Sequence, residues 1–98
     1  MSHEIAHVGA LAINLQIPAS QSLKSKRRVI KSIKDRVRSR FNVSVSEIGD
    51  LDKWQAATLG FCMISNDRNH INSNLEAVLA LVESVGEIRL LGHQLEFL

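Results

Sequence analysis

Residues 7–41, HVGALAINLQIPASQSLKSKRRVIKSIKDRVRSRF, decide the fold, because the spacing of their apolar side chains changes partway along the stretch. Up to Ile17 the apolar side chains alternate, which is the period of a strand, and Pro18 ends the strand because proline cannot donate to a sheet ladder. Further along, they recur at helical spacing at Leu23, Ile30, Ile33, Val37 and Phe41. The stretch therefore predicts a strand followed by an amphipathic helix over 22–41, with Ser20 or Ser22 as its N-cap.

Three further segments have the character of strands. Residues 42–48, NVSVSEI, alternate again, and residues 56–65, AATLGFCMIS, are almost continuously apolar. The C-terminal segment 87–98, EIRLLGHQLEFL, predicts a last strand, with a bulge or kink at Gly92.

A second helical stripe occupies residues 67–85, with Asn66 and Asp67 available as N-caps and Gly86 as the residue that ends the helix. The order of elements is therefore βαββαβ. Because crossover connections are right-handed, this order favours an α+β, ferredoxin-like single domain over 1–98, in which two helices cover one face of a four-stranded antiparallel sheet.

The sheet face away from the helices receives side chains that are small or apolar rather than charged. They are Val8, Ala10, Ala12, Thr58, Gly60, Cys62 and Ile64. Such a face invites self-association, so the pattern predicts a homodimer with Ala10, Ala12, Cys62 and Ile64 at its interface; the alternative is that small residues are tolerated on an exposed sheet. Cys62, the only cysteine, is expected to be a reduced and packed thiol.

Charge is divided unevenly along the chain. Residues 22–41 contain nine of the twelve Lys and Arg residues against one acid, Asp35, which gives +8, while the remainder has three bases against nine acids, which gives −6. The predicted anion-binding side chains are Lys24, Arg27, Arg28, Lys31, Lys34 and Arg38.

Three interpretations of the basic helix stay open. It is a solvated face balanced by acids such as Glu47, Asp50 or Asp52, a surface for a phosphate backbone, or a surface for an acidic protein. With no aromatic side chain on its exposed side, the helix would contact RNA through backbone and shape rather than through stacked bases.

Lys26 and Trp54 depart from the patterns around them. Lys26 falls on the apolar side of its helix, so it must extend past the strand end or meet a buried acceptor, and we expect a structural contact at a subunit boundary. Trp54 lies in the polar segment 49–55, GDLDKWQ. It folds onto its own sheet, packs against a partner or offers a platform for a base, and the first of these is the ordinary outcome for an indole.

The sequence lacks the residue patterns of the common catalytic and metal sites. The histidines, His3, His7, His70 and His93, are scattered and have no metal-ligand spacing, and there is no glycine-rich phosphate loop or nucleophile elbow. Asp67 and His70 are expected to form a helix cap. We therefore predict no enzyme activity, no cofactor and no metal.

Several long stretches of this chain are familiar: SLKSKRRVIKSIKDRVRSRFNVSVSEIGD at 22–50, DKWQAATLG at 52–60, ISND at 64–67 and LEFL at 95–98. They resemble the YlxP-like family of small bacterial proteins. The resemblance implies a ferredoxin-like fold and genes that often neighbour those of translation-initiation and ribosome-maturation factors. It brings no catalytic residues.

These patterns lead to two functional hypotheses. The first is a non-catalytic RNA-binding or ribosome-associated factor that uses helix 22–41. The alternative is a dimeric protein-interaction module that uses the open sheet face with Trp54 and Lys26. MSHEIAHVGA at the N-terminus has no export pattern and no stretch is apolar enough to cross a bilayer, so we expect a cytoplasmic protein.

Overall fold

The computed structural model describes residues 6–98, and its elements follow the predicted βαββαβ order. His3 lies outside the described residues. The elements are β1 (His7–Gln16), α1 (Leu23–Arg40), β2 (Ser44–Gly49), β3 (Ala56–Ser65), α2 (Arg68–Glu83) and β4 (Arg89–Phe97).

The four strands form one sheet in the order β2-β3-β1-β4, and all neighbouring strands are antiparallel. The central strands β1 and β3 pair over their whole length, from His7 opposite Ser65 to Gln16 opposite Ala56. This arrangement confirms the ferredoxin-like fold. It also places the end of β1, the start of α1 and the β2–β3 loop at the same end of the sheet.

Alternation along the central strands divides the sheet into a buried face and an open face. On the buried face the strands and both helices share one core, built around Leu11, Ile13, Leu15, Leu59, Phe61, Ile30, Ile33, Val37, Ile71, Leu75, Val78 and Val82. Both helices therefore pack on the same side of the sheet, as predicted. α2 packs closely at Gly9, where a Cβ atom would collide with the side chain of Ile71.

Polar side chains define where the helices begin. Ser22 is the N-cap of α1, and its hydroxyl accepts a hydrogen bond from the amide of Ser25 at 3.0 Å. Asp67 caps α2 by accepting from the amides of Asn69 and His70, at 3.0 and 3.3 Å. The expected pairing of Asp67 with the start of this helix is confirmed.

Two details at the ends of strands and helices differ from the sequence patterns. The prediction that Gly86 ends α2 is wrong, because the helix ends at Glu83 with Ser84 as its C-cap in the right-handed region, and no glycine within residues 6–98 has a positive φ. β2 begins at Ser44, two residues later than its alternation predicts. The irregularity at Gly92 is confirmed, since the β1–β4 register shifts there and leaves Leu91 unpaired.

Within residues 6–98, neither helix combines the length and the apolar character needed to cross a lipid bilayer.

Candidate functional site

The basic helix α1 owes its orientation to its apolar stripe. Ile30, Ile33 and Val37 are buried in the core, so the side chains on the opposite side of the helix face solvent. The predicted anion-binding side chains lie on this opposite side. We call them the α1 ridge: Lys24, Arg27, Arg28, Lys31, Lys34 and Arg38. All of them are exposed except Lys34, which is half-buried.

Two members of the α1 ridge have partners within the chain. Lys31 Nζ lies 2.8 Å from Asp35 Oδ2, one helical turn away. The hydrogen bond from Lys31 holds the pKa of the Asp35 carboxyl below its usual value. Arg38 Nη2 donates to the carbonyl of Val45 on β2 at 3.3 Å. The α1 ridge is thus tied to the domain at Arg38 and partly neutralised at Lys31.

Among residues 6–98, no acid outside α1 forms an ion pair with the α1 ridge. Of the acids that sequence analysis proposed for this purpose, Glu47 pairs with Lys26 and Asp50 pairs with Lys53 at 3.3 Å. Arg36 and Arg40 are also exposed on α1, so they add to its charge. Neither is among the predicted anion-binding side chains, although both lie in the same basic run of the sequence.

Lys26 meets a buried acceptor, as expected. It is 1% exposed, and its Nζ donates to the carbonyls of Asp50 at 2.8 Å and Ala56 at 3.1 Å, with a longer contact to the carbonyl of Leu51 at 3.5 Å. Glu47 Oε2 lies 2.8 Å from the same nitrogen, and this contact is ionic rather than a directed hydrogen bond. All these partners belong to the same chain, and a place at a subunit boundary stays a prediction.

The contacts of Lys26 organise the β2–β3 loop, residues 50–55. Asp50 in this loop has a positive φ of 60°, a conformation that the surrounding bonds must hold for a non-glycine residue. A second set of bonds ties Gln55 to the segment before α1: its Nε2 donates to the carbonyls of Pro18 and Ser20, at 3.2 and 3.0 Å. The loop is therefore anchored at both ends against the start of α1.

Trp54 projects from this anchored loop and is 55% exposed. The expectation that it folds onto its own sheet is wrong for the single chain, because more than half of its surface stays exposed. Leu51 in the same loop is also exposed. The other two alternatives for Trp54, contact with a partner and stacking on a base, stay predictions.

The open face of the sheet carries the predicted small side chains. Ala10 lies opposite Cys62, and Ala12 lies opposite Gly60. A trough of about 280 Å³ runs over these residues, with Ile48 on its β2 side and Gln94 and Glu96 on its β4 side.

Cys62 contradicts one expectation. It is an exposed free thiol on the open face rather than a packed one, because alternation in β3 buries Phe61 and Met63 and turns Cys62 and Ile64 outward. Ile64 is 66% exposed. Since β3 is apolar on both sides, its composition alone does not reveal which side chains are covered.

The described residues contain no group of three His, Cys, Asp or Glu side chains placed to share a metal ion. The His70 ring lies 3.3 Å from the side-chain amide of Asn74, one turn further along α2. The Asp67 carboxylate is occupied by the helix cap. The candidate binding features are instead three separate surfaces: the cationic face of α1, the anchored β2–β3 loop and the open face of the sheet.

The chain matches known proteins over most of its length. The family model described as protein of unknown function (DUF503) matches residues 8–95. An uncharacterized protein, YlxP, from Bacillus subtilis (strain 168) is 46% identical over 67 residues, which cover 68% of this chain and 73% of the relative. Among solved structures, the de novo designed protein Foldit4 has a TM-score of 0.49 at 17% identity and covers 93% of both chains. The chain therefore belongs to the YlxP-like family of proteins of unknown function, DUF503.

Proposed function

We propose that this protein is a non-catalytic accessory factor that binds the phosphate backbone of structured RNA, such as that of the ribosome, through the α1 ridge. The observation that carries the proposal is that α1 turns its apolar stripe into the core and a row of cations to solvent, with Asp35 as the only acid in the helix. Such a surface attracts a polyanion.

The size of the charged surface supports a polyanion over a small anion. An 18-residue helix is about 27 Å long, so its cations reach several phosphates along one backbone. Like-charged side chains three or four residues apart, such as Lys24 and Arg28, destabilise a helix by about 0.2–0.5 kcal/mol for each pair. Bound phosphates would relieve this repulsion, whereas Glu47 and Asp50 are engaged elsewhere.

The ridge favours recognition of backbone and shape. It carries no aromatic side chain, and Phe41 at the end of α1 is half-buried against the core. Structured RNA is recognised in this way, through phosphates and helix shape rather than base edges. The gene neighbourhood that the family resemblance implies supports RNA over other polyanions, and a cytoplasmic location is part of this proposal.

The test is the affinity for a structured ribosomal RNA fragment, measured by fluorescence anisotropy over a range of salt concentrations. The log of the affinity should fall linearly with the log of the salt concentration. The variant K24E/R27E/R28E should lose at least tenfold in affinity at low salt and give a shallower slope, since each lost phosphate contact lowers the slope by about one. Circular dichroism verifies that the variant is folded.

A matched control keeps the same net charge. K53E/R68E/R89E also reverses three cations, but all of them lie outside α1, so it should bind nearly as the wild type does when both are compared at a concentration where they have the same oligomeric state. Equal losses in both variants, or a flat salt dependence, would contradict the proposal. Binding to acidic peptides with no binding to RNA would assign the ridge to a protein partner instead.

A further inference from the structure

The open sheet face carries only two charged side chains among its strand residues, and both belong to the edge strand β4. Register places Arg89 opposite Gln16 and Glu96 opposite Ala10, and both partners lie on the open side of β1. Arg89 and Glu96 are exposed, and neither is part of an ion pair within residues 6–98. The face thus has one cation at one end of an edge strand and one anion at the other.

These two charges are too far apart to pair within one chain. Their partners on β1, Gln16 and Ala10, are six residues apart, which corresponds to about 20 Å along a strand. Within residues 6–98 each charge is therefore left without an ion-pair partner, and a second copy of this chain can supply one.

The rest of the face is apolar or uncharged. Ile48 and Ile64 are 57% and 66% exposed, and the trough over Ala10, Ala12 and Gly60 lies between Ile48 and Gln94. The four strands are about 4.8 Å apart and have ten, six, ten and nine residues, so together they present roughly 600 Å². Two such faces in contact bury roughly 1,200 Å², the lower limit for a specific interface. We expect an interface of this size to give a dimer that dissociates on dilution.

We propose that a second copy of this chain covers the open face, with a two-fold axis that lies between the two sheets and runs across the strands. Two in-plane axes keep the strands of the two stacked sheets roughly aligned, as sheets packed face to face commonly are. An axis along the strands sets β4 over the partner's β2, where Glu96 would face Ser44. An axis across the strands sets β4 over β4 in the reverse direction, so that Arg89 of each copy meets Glu96 of the other. Only this second arrangement uses the two charges, and symmetry makes the ion pair twice.

The proposed dimer is independent of RNA binding. The α1 ridge lies on the helix side of each sheet, so in the dimer the two ridges face outward on opposite sides. Cys62 lies in the row of Glu96 and would face the partner's row that contains Ala56. Its thiol is therefore shielded in the dimer without being placed against the partner's thiol.

The experiment is analytical ultracentrifugation of the full chain from micromolar to near-millimolar concentration. The wild type should dissociate reversibly within this range. R89E and E96R should each weaken the dimer by roughly 10-fold, since each reversal places like charges together twice. The double variant R89E/E96R restores opposite charges at both positions, so its dissociation constant should return close to that of the wild type.

Controls of equal charge change are R36E on α1 and E76R on α2, both exposed on the helix side, and they should leave the dissociation constant unchanged. In parallel, the reaction of Cys62 with a thiol reagent should slow as the concentration of the protein rises. A wild type that stays monomeric throughout would overturn the dimer. A dimer in which the double variant is no tighter than the single ones would overturn the proposed axis.

Discussion

Lys26 on α1 and Glu47 on β2 form an ion pair of 2.8 Å beneath the start of the helix, and the lysine is almost wholly inaccessible to solvent. A buried ammonium is stable only when its hydrogen bonds are satisfied, and the carbonyls of Asp50 and Ala56 provide those bonds. The pair therefore connects the basic helix to the loop that presents Trp54. It fixes the position of the exposed cations of α1 relative to the exposed Trp54.

Replacing Lys26 by Met should destabilise the fold by about 3–5 kcal/mol, because it leaves the Glu47 carboxylate without its counter-ion and the loop carbonyls without their donor. Urea denaturation monitored by circular dichroism measures this loss. K24M, at an exposed lysine two residues away on α1, should change the free energy of unfolding by less than about 0.5 kcal/mol. Similar losses in both variants would show that the cage around Lys26 contributes little.

Replacing Gly9 by Ala should destabilise the fold by about 1–3 kcal/mol, because the added methyl group collides with Ile71 and crowds Leu75 on α2. Thermal unfolding followed by calorimetry measures the effect. Gly92→Ala is the matched control on the neighbouring strand, since a Cβ there meets nothing within 4 Å. If Gly9→Ala were as stable as Gly92→Ala, the packing of α2 on β1 would be looser than described.

Replacing Asp67 by Ala should cost about 1 kcal/mol, because the amides of Asn69 and His70 lose their acceptor at the start of α2. Chemical denaturation gives the difference, and Asn66→Ala, which leaves the cap intact, is the comparison. Equal effects of the two substitutions would contradict the assignment of Asp67 as the N-cap.

Asp35→Asn should tighten RNA binding while removing a small contribution to stability. The bond from Lys31 lowers the pKa of the folded-state carboxyl, so the contribution of Asp35 is present above its unfolded pKa and is lost as the pH falls through the folded value. NMR titration of the carboxyl measures that pKa, which should be lower than in an unfolded peptide. Anisotropy should show a higher affinity for D35N, because the substitution frees Lys31; an unchanged affinity would argue against a role for the ridge.

The helix α1 shows most clearly how much of the structure could be predicted from the sequence. Its helical spacing predicted both the buried stripe and the exposed cations, and it marked Lys26 as the residue on the wrong side. The partner of Lys26 could not be predicted in the same way. Glu47 is distant in sequence, and it reaches Lys26 only because Val45 and Glu47 point toward the helices in the register that β2 adopts on β3.

β3 shows the same limit for the open face. Its apolar composition led to the expectation of a packed Cys62, whereas alternation beside Phe61 and Met63 leaves the thiol exposed. The exposure of Trp54 likewise depends on how the β2–β3 loop is anchored. Arg89 and Glu96 lie on the same open face only because the bulge at Leu91 shifts the register of β4 against β1.

The sequence by itself determined the order of the elements, the fold and the cationic side of α1, because the period of apolar residues is a local property of the chain. Only the tertiary structure decided which acid meets Lys26, that Cys62 faces outward, and that Arg89 and Glu96 end at opposite ends of one face. These outcomes depend on the register between strands that are distant in the chain, and a shift of one residue would turn each side chain to the other face.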